Sequence, residues 1–148
     1  MRAVVQRVAR ARVLVGSEVV GAIERGLLVL VGVMREDTAA DVAWLERKLV
    51  ALRVFPDGVG KMNLSARDVG GGILLVSQFT LCADTSRGAR PSFGAAMAPE
   101  AAAALLATLV EALRRSLPVE LGRFGADMAV ELTNDGPVTL WLDSRALA

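Results

Sequence analysis

Two short segments bring polar side chains next to apolar runs, where they could hold or act on a small molecule. In the first, Ser77, Gln78, Phe79 and Thr80 follow the apolar run 73–76 and place two hydroxyls and one amide at its end. These groups can donate and accept hydrogen bonds, so they suit the binding or orientation of a substrate. Most buried polar groups are satisfied by nearby backbone, however, and the residues alone favour a structural role for this segment.

The second segment, residues 134–139 (Asn-Asp-Gly-Pro-Val-Thr), lies between two predicted strands. The bond between Gly136 and Pro137 would cost only about 0.5–1 kcal/mol to be cis, so an unusual backbone shape is possible there. Asn, Asp, Gly and Pro are also the common turn residues, and an ordinary turn is the favoured interpretation from spacing alone.

The remaining composition excludes several kinds of catalysis. The chain has no histidine and one cysteine, which excludes Ser-His-Asp and Cys-His triads, a disulfide within the chain and a thiolate zinc site. Cys82 is expected to be a small buried hydrophobic residue. Asp84, Asp127 and Asp135 do not have the spacing of a loop that binds a metal ion through oxygen ligands. The glycines at 70–72 are not followed by the Gly-Lys-Ser/Thr sequence of a phosphate-binding loop. No metal and no cofactor are therefore expected.

Charge and hydropathy limit the partners. Seventeen basic and sixteen acidic residues leave a net charge of +1, which argues against a dedicated DNA-binding protein. The arginines could hold phosphates or simply be solvated. With only six aromatic residues, the chain is not expected to bind RNA mainly by base stacking. The longest apolar run, residues 26–34, is too short for a membrane span, so we expect a cytoplasmic protein without a membrane partner. A mean hydropathy of +0.46 favours a homodimer.

Periodicity predicts the elements that must position these residues. A helix capped by Thr38, with Asp41 completing a capping box, ends near Arg53, and a second helix runs from Pro99 to about Leu117. The segment 26–33 is predicted to be a strand buried on both faces. Residues 82–97 show no period and are predicted to form an ordered loop. Strands are predicted over residues 2–8, 13–15, 19–23, 26–33, 53–55, 73–79, 118–123, 128–134 and 138–142. Because the elements do not alternate, we expect one α+β domain spanning residues 1–148.

The two polar segments together resemble the paired signature motifs of the D-aminoacyl-tRNA deacylases. They lie about 55 residues apart, and the resemblance extends from the first strand to Leu142 in order. Three flanking segments are similar to the family as well: residues 60–65 (Gly-Lys-Met-Asn-Leu-Ser), 87–93 (Arg-Gly-Ala-Arg-Pro-Ser-Phe) and 122–126 (Gly-Arg-Phe-Gly-Ala).

The resemblance implies a homodimeric, cofactor-free hydrolase with mixed or antiparallel, barrel-like sheets and two main helices. Its substrate would be tRNA that carries a D-amino acid on its 3′ end, and a ribose 2′-hydroxyl of the tRNA would assist the reaction. Phe79 would donate its backbone N–H to the developing oxyanion, Gln78 would orient the substrate, and Ser77 would help to bind it. Thr80 has been interpreted in this family as a nucleophile, but without a base we expect it to be a pocket wall or donor.

The resemblance also assigns the second segment. Gly136 and Pro137, joined by a cis bond, would enter the partner subunit's pocket and exclude L-amino acids with main-chain atoms, and Arg7 would hold them in orientation. Such a filter does not measure side chains, so glycyl-tRNA should also be hydrolysed to some extent.

Two other functions remain open from the sequence. One is a non-catalytic dimeric RNA-binding module of the same fold, which would need no oxyanion donor. The other is a metal-free hydrolase of free esters or D-peptides, which would not depend on the 2′-hydroxyl of tRNA.

Overall fold

The computed structural model describes residues 1–146. Eight strands and two helices make up the fold of these residues, together with a single 3₁₀ turn at Phe79–Cys82. In chain order they are β1 (Arg2–Val15), β2 (Glu18–Ile23), β3 (Gly26–Gly32), α1 (Ala39–Ala51), β4 (Arg53–Pro56), β5 (Met62–Ser65), β6 (Gly72–Ser77), α2 (Pro99–Arg114), β7 (Val119–Leu121) and β8 (Ala129–Asp143).

The main sheet is mixed and nearly closes on itself. Its strand order is β2-β1-β3-β6-β7, and β8 pairs along the other side of the long strand β1. The β3–β6 and β6–β7 pairs are parallel, whereas β1 is antiparallel to β2, β3 and β8. The two strands at the ends of this order, β2 and β7, lie close together. A Cβ on Gly21 in β2 would collide with the carbonyl oxygen of Leu121 in β7, which shows how near the two backbones are. The predicted α+β class with a barrel-like sheet and two helices is confirmed.

The central strands are buried on both faces, as predicted for residues 26–33. Leu27, Val29 and Val31 of β3 pack in the core that lies under the helices. Leu28, on the opposite face, belongs to a second core inside the sheet. Side chains of a strand alternate between its faces, so a continuous apolar run is what two cores require.

Both helices follow their sequence signals. The Thr38 side chain accepts a hydrogen bond from the first turn and Asp41 bonds back to the Thr38 backbone, so the predicted capping box is present. Pro99 occupies the start of α2, whose stripe of Leu106, Leu109 and Leu113 is buried. Each helix ends two or three residues before the predicted boundary, near Arg53 and Leu117 respectively.

Several strand predictions need correction. The segments 2–8 and 13–15 belong to one strand, β1, because β8 pairs along nearly its whole length. Residues 62–65 were not predicted to be a strand but pair with β4. The strand predicted over 73–79 stops at Ser77, where the backbone enters the 3₁₀ turn. The strand predicted over 118–123 is limited to β7.

The segment 134–139 was predicted to join two strands, but it lies within the single strand β8 and interrupts its pairing with β1. Thr139 pairs with Gln6 and Asn134 pairs with Val8, so residues 135–138 of β8 stand opposite the single residue Arg7 of β1. Extra residues on one strand of an antiparallel pair must leave the ladder. We call residues 135–138 the Gly-Pro bulge. No helix within residues 1–146 is both long and apolar enough to cross a membrane.

Candidate active site

A groove of about 690 Å³ opens where the first polar segment ends. Its walls come from the carboxyl end of β6, the start of α2 and the segments around residues 93–97 and 124–130. Ser77, Gln78 and Phe79 line this groove, whereas Thr80 is exposed beside it. The first predicted motif therefore lies at a concave, largely apolar surface of the kind that binds small ligands.

Close approach of two backbones sets the position of the motif. The Gln78 N–H donates to the carbonyl oxygen of Val31 at 2.7 Å, which extends the β3–β6 pairing by one bond. The 3₁₀ turn then lies directly against Gly32, where a Cβ would be 2.9 Å from the Gln78 carbonyl oxygen and from the Cβ of Leu81. The importance of Gly32 was not predicted, because its only signal in the sequence is a glycine at the end of an apolar strand.

Gln78 and Thr80 bond to each other. The Gln78 amide nitrogen lies 2.5 Å from the Thr80 hydroxyl oxygen and donates to it. A glutamine amide does not take up a proton at neutral pH, so this contact cannot activate the hydroxyl as a nucleophile. Within residues 1–146, Thr80 has no other side-chain hydrogen-bond partner.

Phe79 presents both a ring and a backbone donor. The residue is 58% exposed, and its ring packs against the Phe93 ring in a T-shaped arrangement at a centroid distance of 5.0 Å. Phe124, also exposed, lies on another wall of the groove. Because Phe79 is the first residue of the 3₁₀ turn, its N–H has no acceptor within the turn and is available to a ligand.

The second predicted motif lies outside this groove. Gly136 and Pro137 are exposed, are joined by a cis bond, and do not line the groove of their own chain. Asn134 closes the base of the bulge, since its amide nitrogen donates to the carbonyl oxygens of Arg7 and Val138 at 3.3 and 3.0 Å.

Arg7 lies against the Gly-Pro bulge. Its side chain is only 11% exposed, so it is not a solvated arginine on an open strand face. The guanidinium donates to the Asp135 carbonyl oxygen at 3.2 Å and to the Val54 carbonyl oxygen at 2.6 Å, and it pairs with the Asp135 carboxylate at 3.2 Å. These bonds link the bulge to β4 and fix its direction.

The other candidates from the sequence do not form a reactive group. Cys82 is buried, as expected, and lies 3.4 Å from the Val33 carbonyl oxygen. Burial raises the pKa of its thiol, which disfavours the reactive thiolate. Asp127 lines the groove, but the part of the chain that the structure describes contains no group of three or more acidic or cysteine side chains placed to hold a metal ion.

Comparison with known proteins identifies the family of this chain. A sequence profile of the D-Tyr-tRNA(Tyr) deacylase family matches residues 4–143. The chain is 58% identical to the D-aminoacyl-tRNA deacylase of Anaeromyxobacter dehalogenans (strain 2CP-C), over 99% of both proteins. It is 59% identical to the D-aminoacyl-tRNA deacylase of Chloroflexus aurantiacus (strain ATCC 29364 / DSM 637 / Y-400-fl), over 99% of this chain and 92% of the relative.

Two solved structures superpose on this chain over nearly its whole length. A protein named c-Myc DNA Unwinding Element Binding Protein superposes with a TM-score of 0.94 at 45% identity, over 99% of this chain and 100% of that chain. A structure described as a probable eukaryotic D-amino acid tRNA deacylase superposes with a TM-score of 0.83, over 95% of this chain and 97% of that chain. At 18% identity the second match supports the fold alone. The family profile and the full-length relatives show that this chain belongs to the D-Tyr-tRNA(Tyr) deacylase family.

Proposed function

We propose that this protein hydrolyses the ester bond between a D-amino acid and the 3′ end of tRNA, releasing the free amino acid and tRNA. The observation that carries the proposal is the 77–80 motif at the end of an apolar groove, in a chain that belongs to this family. At about 690 Å³ the groove has the size of small-ligand sites, and we assign to it the aminoacyl group and part of the terminal nucleoside. Acting on tRNA, the enzyme would work in the cytoplasm.

The proposed chemistry uses positioning and charge stabilisation rather than a side-chain base. When water attacks the ester carbon, negative charge develops on the carbonyl oxygen, and the Phe79 N–H would donate to that oxygen. Gln78 would hold the substrate in orientation, and Ser77 would contribute to binding. A 2′-hydroxyl of the substrate itself would assist the reaction. Orientation can lower a barrier by about 7–11 kcal/mol and one oxyanion donor by about 2.7–4 kcal/mol, so these contributions are large enough to matter.

Thr80 serves in this proposal as a wall or hydrogen-bonding residue. Its hydroxyl oxygen already accepts the Gln78 amide, and no base contacts it among the described residues. A threonine nucleophile requires a neighbouring group that takes its proton, such as a terminal amine. The geometry therefore supports the non-covalent role.

The Gly-Pro bulge is proposed to read chirality in the groove of a second copy of the chain. Gly136 and Pro137 are exposed and do not line the groove of their own chain, so they are free to contact a second copy, which supports this assignment. Main-chain oxygens held by Arg7 could accept hydrogen bonds from the substrate α-ammonium group and occupy the space that an L side chain needs. Because a D side chain would point outward, the filter would accept many D-amino acids and would also admit glycine.

Four substrates test the function. The wild-type protein, at a low ratio of enzyme to substrate, is expected to release D-tyrosine from D-tyrosyl-tRNA with many turnovers and to leave L-tyrosyl-tRNA intact. Glycyl-tRNA should be hydrolysed, and D-tyrosyl-tRNA with a 2′-deoxy terminal adenosine should react far more slowly. Binding without turnover would instead identify an RNA-binding module. Equal hydrolysis of the deoxy substrate would identify a general esterase.

A further inference from the structure

A short exposed arm projects next to the groove and has no role in the chemistry above. Residues 84–92 leave the 3₁₀ turn and return, and the arm is closed at its base by two backbone bonds between Asp84 and Ser92, of 2.8 and 2.9 Å. The Gly88 N–H donates to the Thr85 carbonyl oxygen at 3.3 Å, and Gly88 has a φ of +140° that an L side chain rarely adopts. We call residues 84–92 the arm. Its backbone is fixed by these bonds although every residue in it is exposed.

The arm carries two guanidinium groups without acidic partners. Arg87 and Arg90 make no ion pair and no hydrogen bond with residues 1–146. The only carboxylate of the arm, Asp84, accepts the Ser86 backbone N–H at 2.9 Å, and this bond lowers the pKa of that carboxyl below its ordinary value. By contrast, many arginines elsewhere are paired with carboxylates: Arg2, Arg7, Arg12, Arg114, Arg123 and Arg145.

The base of the arm lies next to a wall of the groove. Phe93 follows directly after its base and packs against Phe79 at 5.0 Å. Since each residue extends a chain by at most about 3.5 Å, Arg90 lies within about 11 Å of Phe93. The guanidinium of Arg35 bonds to the Gly94 carbonyl oxygen, which adds a third positive charge beside the base of the arm.

We propose that the arm binds the phosphodiester backbone of the single-stranded 3′ end of tRNA. This inference rests on the proposed function, which places the last nucleoside of the tRNA in the adjacent groove. Guanidinium groups bind phosphate oxygens through paired hydrogen bonds and lose less hydration than an ammonium group does. The arm has no aromatic side chain on which a base could stack, so it recognises charge and backbone rather than sequence.

The test compares two double variants of equal net charge. Arg87→Ala with Arg90→Ala removes the charges of the arm, whereas Arg47→Ala with Arg67→Ala removes two exposed arginines that also lack ion pairs and do not line the groove. A third variant, Arg87→Lys with Arg90→Lys, keeps the charge. The dissociation constant for uncharged tRNA is measured against salt concentration, and KM and kcat are measured with D-tyrosyl-tRNA and with 3′-O-(D-tyrosyl)adenosine, which has no phosphate.

The arm variant is expected to bind tRNA about tenfold more weakly and to reduce the slope of log K against log salt by about 1.4, because each single-strand phosphate contact contributes about 0.7. Its KM for D-tyrosyl-tRNA should rise with kcat unchanged, while the nucleoside ester should be hydrolysed as by the wild type. The lysine variant should recover most of the binding, and the 47/67 control should behave as the wild type.

An equal loss in the 47/67 control would overturn the proposal, since it would indicate only an effect of net charge. An equal loss on the nucleoside ester would also overturn it, because the arm would then act through the groove. Failure of the proposed function is a separate result: the wild type would then hydrolyse neither ester, while a tRNA affinity that falls only in the arm variant would still support the arm as a phosphate-binding site.

Discussion

At the scale of single residues, the proposed site acts through groups that do not titrate near neutral pH. Gln78 contributes an amide, Thr80 contributes a hydroxyl bonded to that amide, and Phe79 contributes a backbone N–H at the start of the 3₁₀ turn. A backbone donor cannot be recognised from residue type, because every residue except proline has one. Its proposed role here is inferred from its place in the turn and from the family resemblance.

The backbone donor can be removed by a single substitution. Phe79→Pro removes both the ring and the N–H, whereas Phe79→Ala removes only the ring. Proline is tolerated at the first position of a helical turn because the N–H there has no intrahelical partner. We expect kcat on D-tyrosyl-tRNA to fall about 10²–10³-fold more in Phe79→Pro than in Phe79→Ala, as for other oxyanion donors. Equal rates for the two variants would show that the ring, rather than the N–H, is the functional group.

Gly136 is a second residue whose proposed role depends on its backbone conformation. Its φ is +125°, and a Cβ would lie 2.9 Å from the Arg7 guanidinium and from the Val138 side chain. Gly136→Ala should therefore move the bulge and abolish deacylation while the fold is retained. Gly60→Ala is the matched control, because Gly60 has a φ of +81° but open space around it. That variant should lose only about 1–2 kcal/mol of unfolding free energy and keep its activity. Wild-type rates in Gly136→Ala would exclude the bulge from the mechanism.

At the scale of elements, the sequence predicted the helices and strands that depend on a local residue pattern. It did not predict the features that depend on pairing between distant strands. The two helices and the central strand β3 follow from caps, apolar spacing and continuous apolar character. The short strand β5 could not be predicted, because a segment of only four residues carries little pattern of its own and it is formed by pairing with β4. The Gly-Pro bulge was misread as a turn for the same reason, since only the register with β1 shows that β8 continues beyond it.

The contact between β3 and the 3₁₀ turn is an element-scale feature that can be tested. Gly32→Ala would place a Cβ 2.9 Å from the Gln78 carbonyl oxygen and 3.1 Å from the Cys82 sulfur, so the turn must shift away from β3. We expect kcat/KM to fall at least tenfold, since small displacements of positioning groups are costly. Gly72→Ala provides the control, because a Cβ there meets its nearest atom at an ordinary 3.4 Å. Equal activity of both variants, measured with D-tyrosyl-tRNA, would remove Gly32 from the positioning of the site.

At the scale of the whole molecule, the two motifs that together identify the family do not share one groove. Residues 77–79 line the groove, and the Gly-Pro bulge is exposed elsewhere on the same chain. Their functions can be combined if the bulge of one subunit enters the groove of another. In a two-fold dimer this arrangement would form two equal sites, each built from both chains. The sequence predicted both motifs and their pairing through the family resemblance, but spacing along one chain does not indicate which copy completes a site.

Subunit mixing distinguishes a shared site from two independent ones. Gly136→Ala spoils the bulge and Phe79→Pro spoils the groove, so each variant alone is expected to be inactive. In a mixed dimer, the intact groove of the Gly136→Ala subunit would receive the intact bulge of the Phe79→Pro subunit, which restores one site of two. Random reassociation of equal amounts makes half of the dimers mixed, so about a quarter of the wild-type activity should return. If each chain used its own bulge, every site in the mixture would carry one defect, and no activity would return however the subunits were combined.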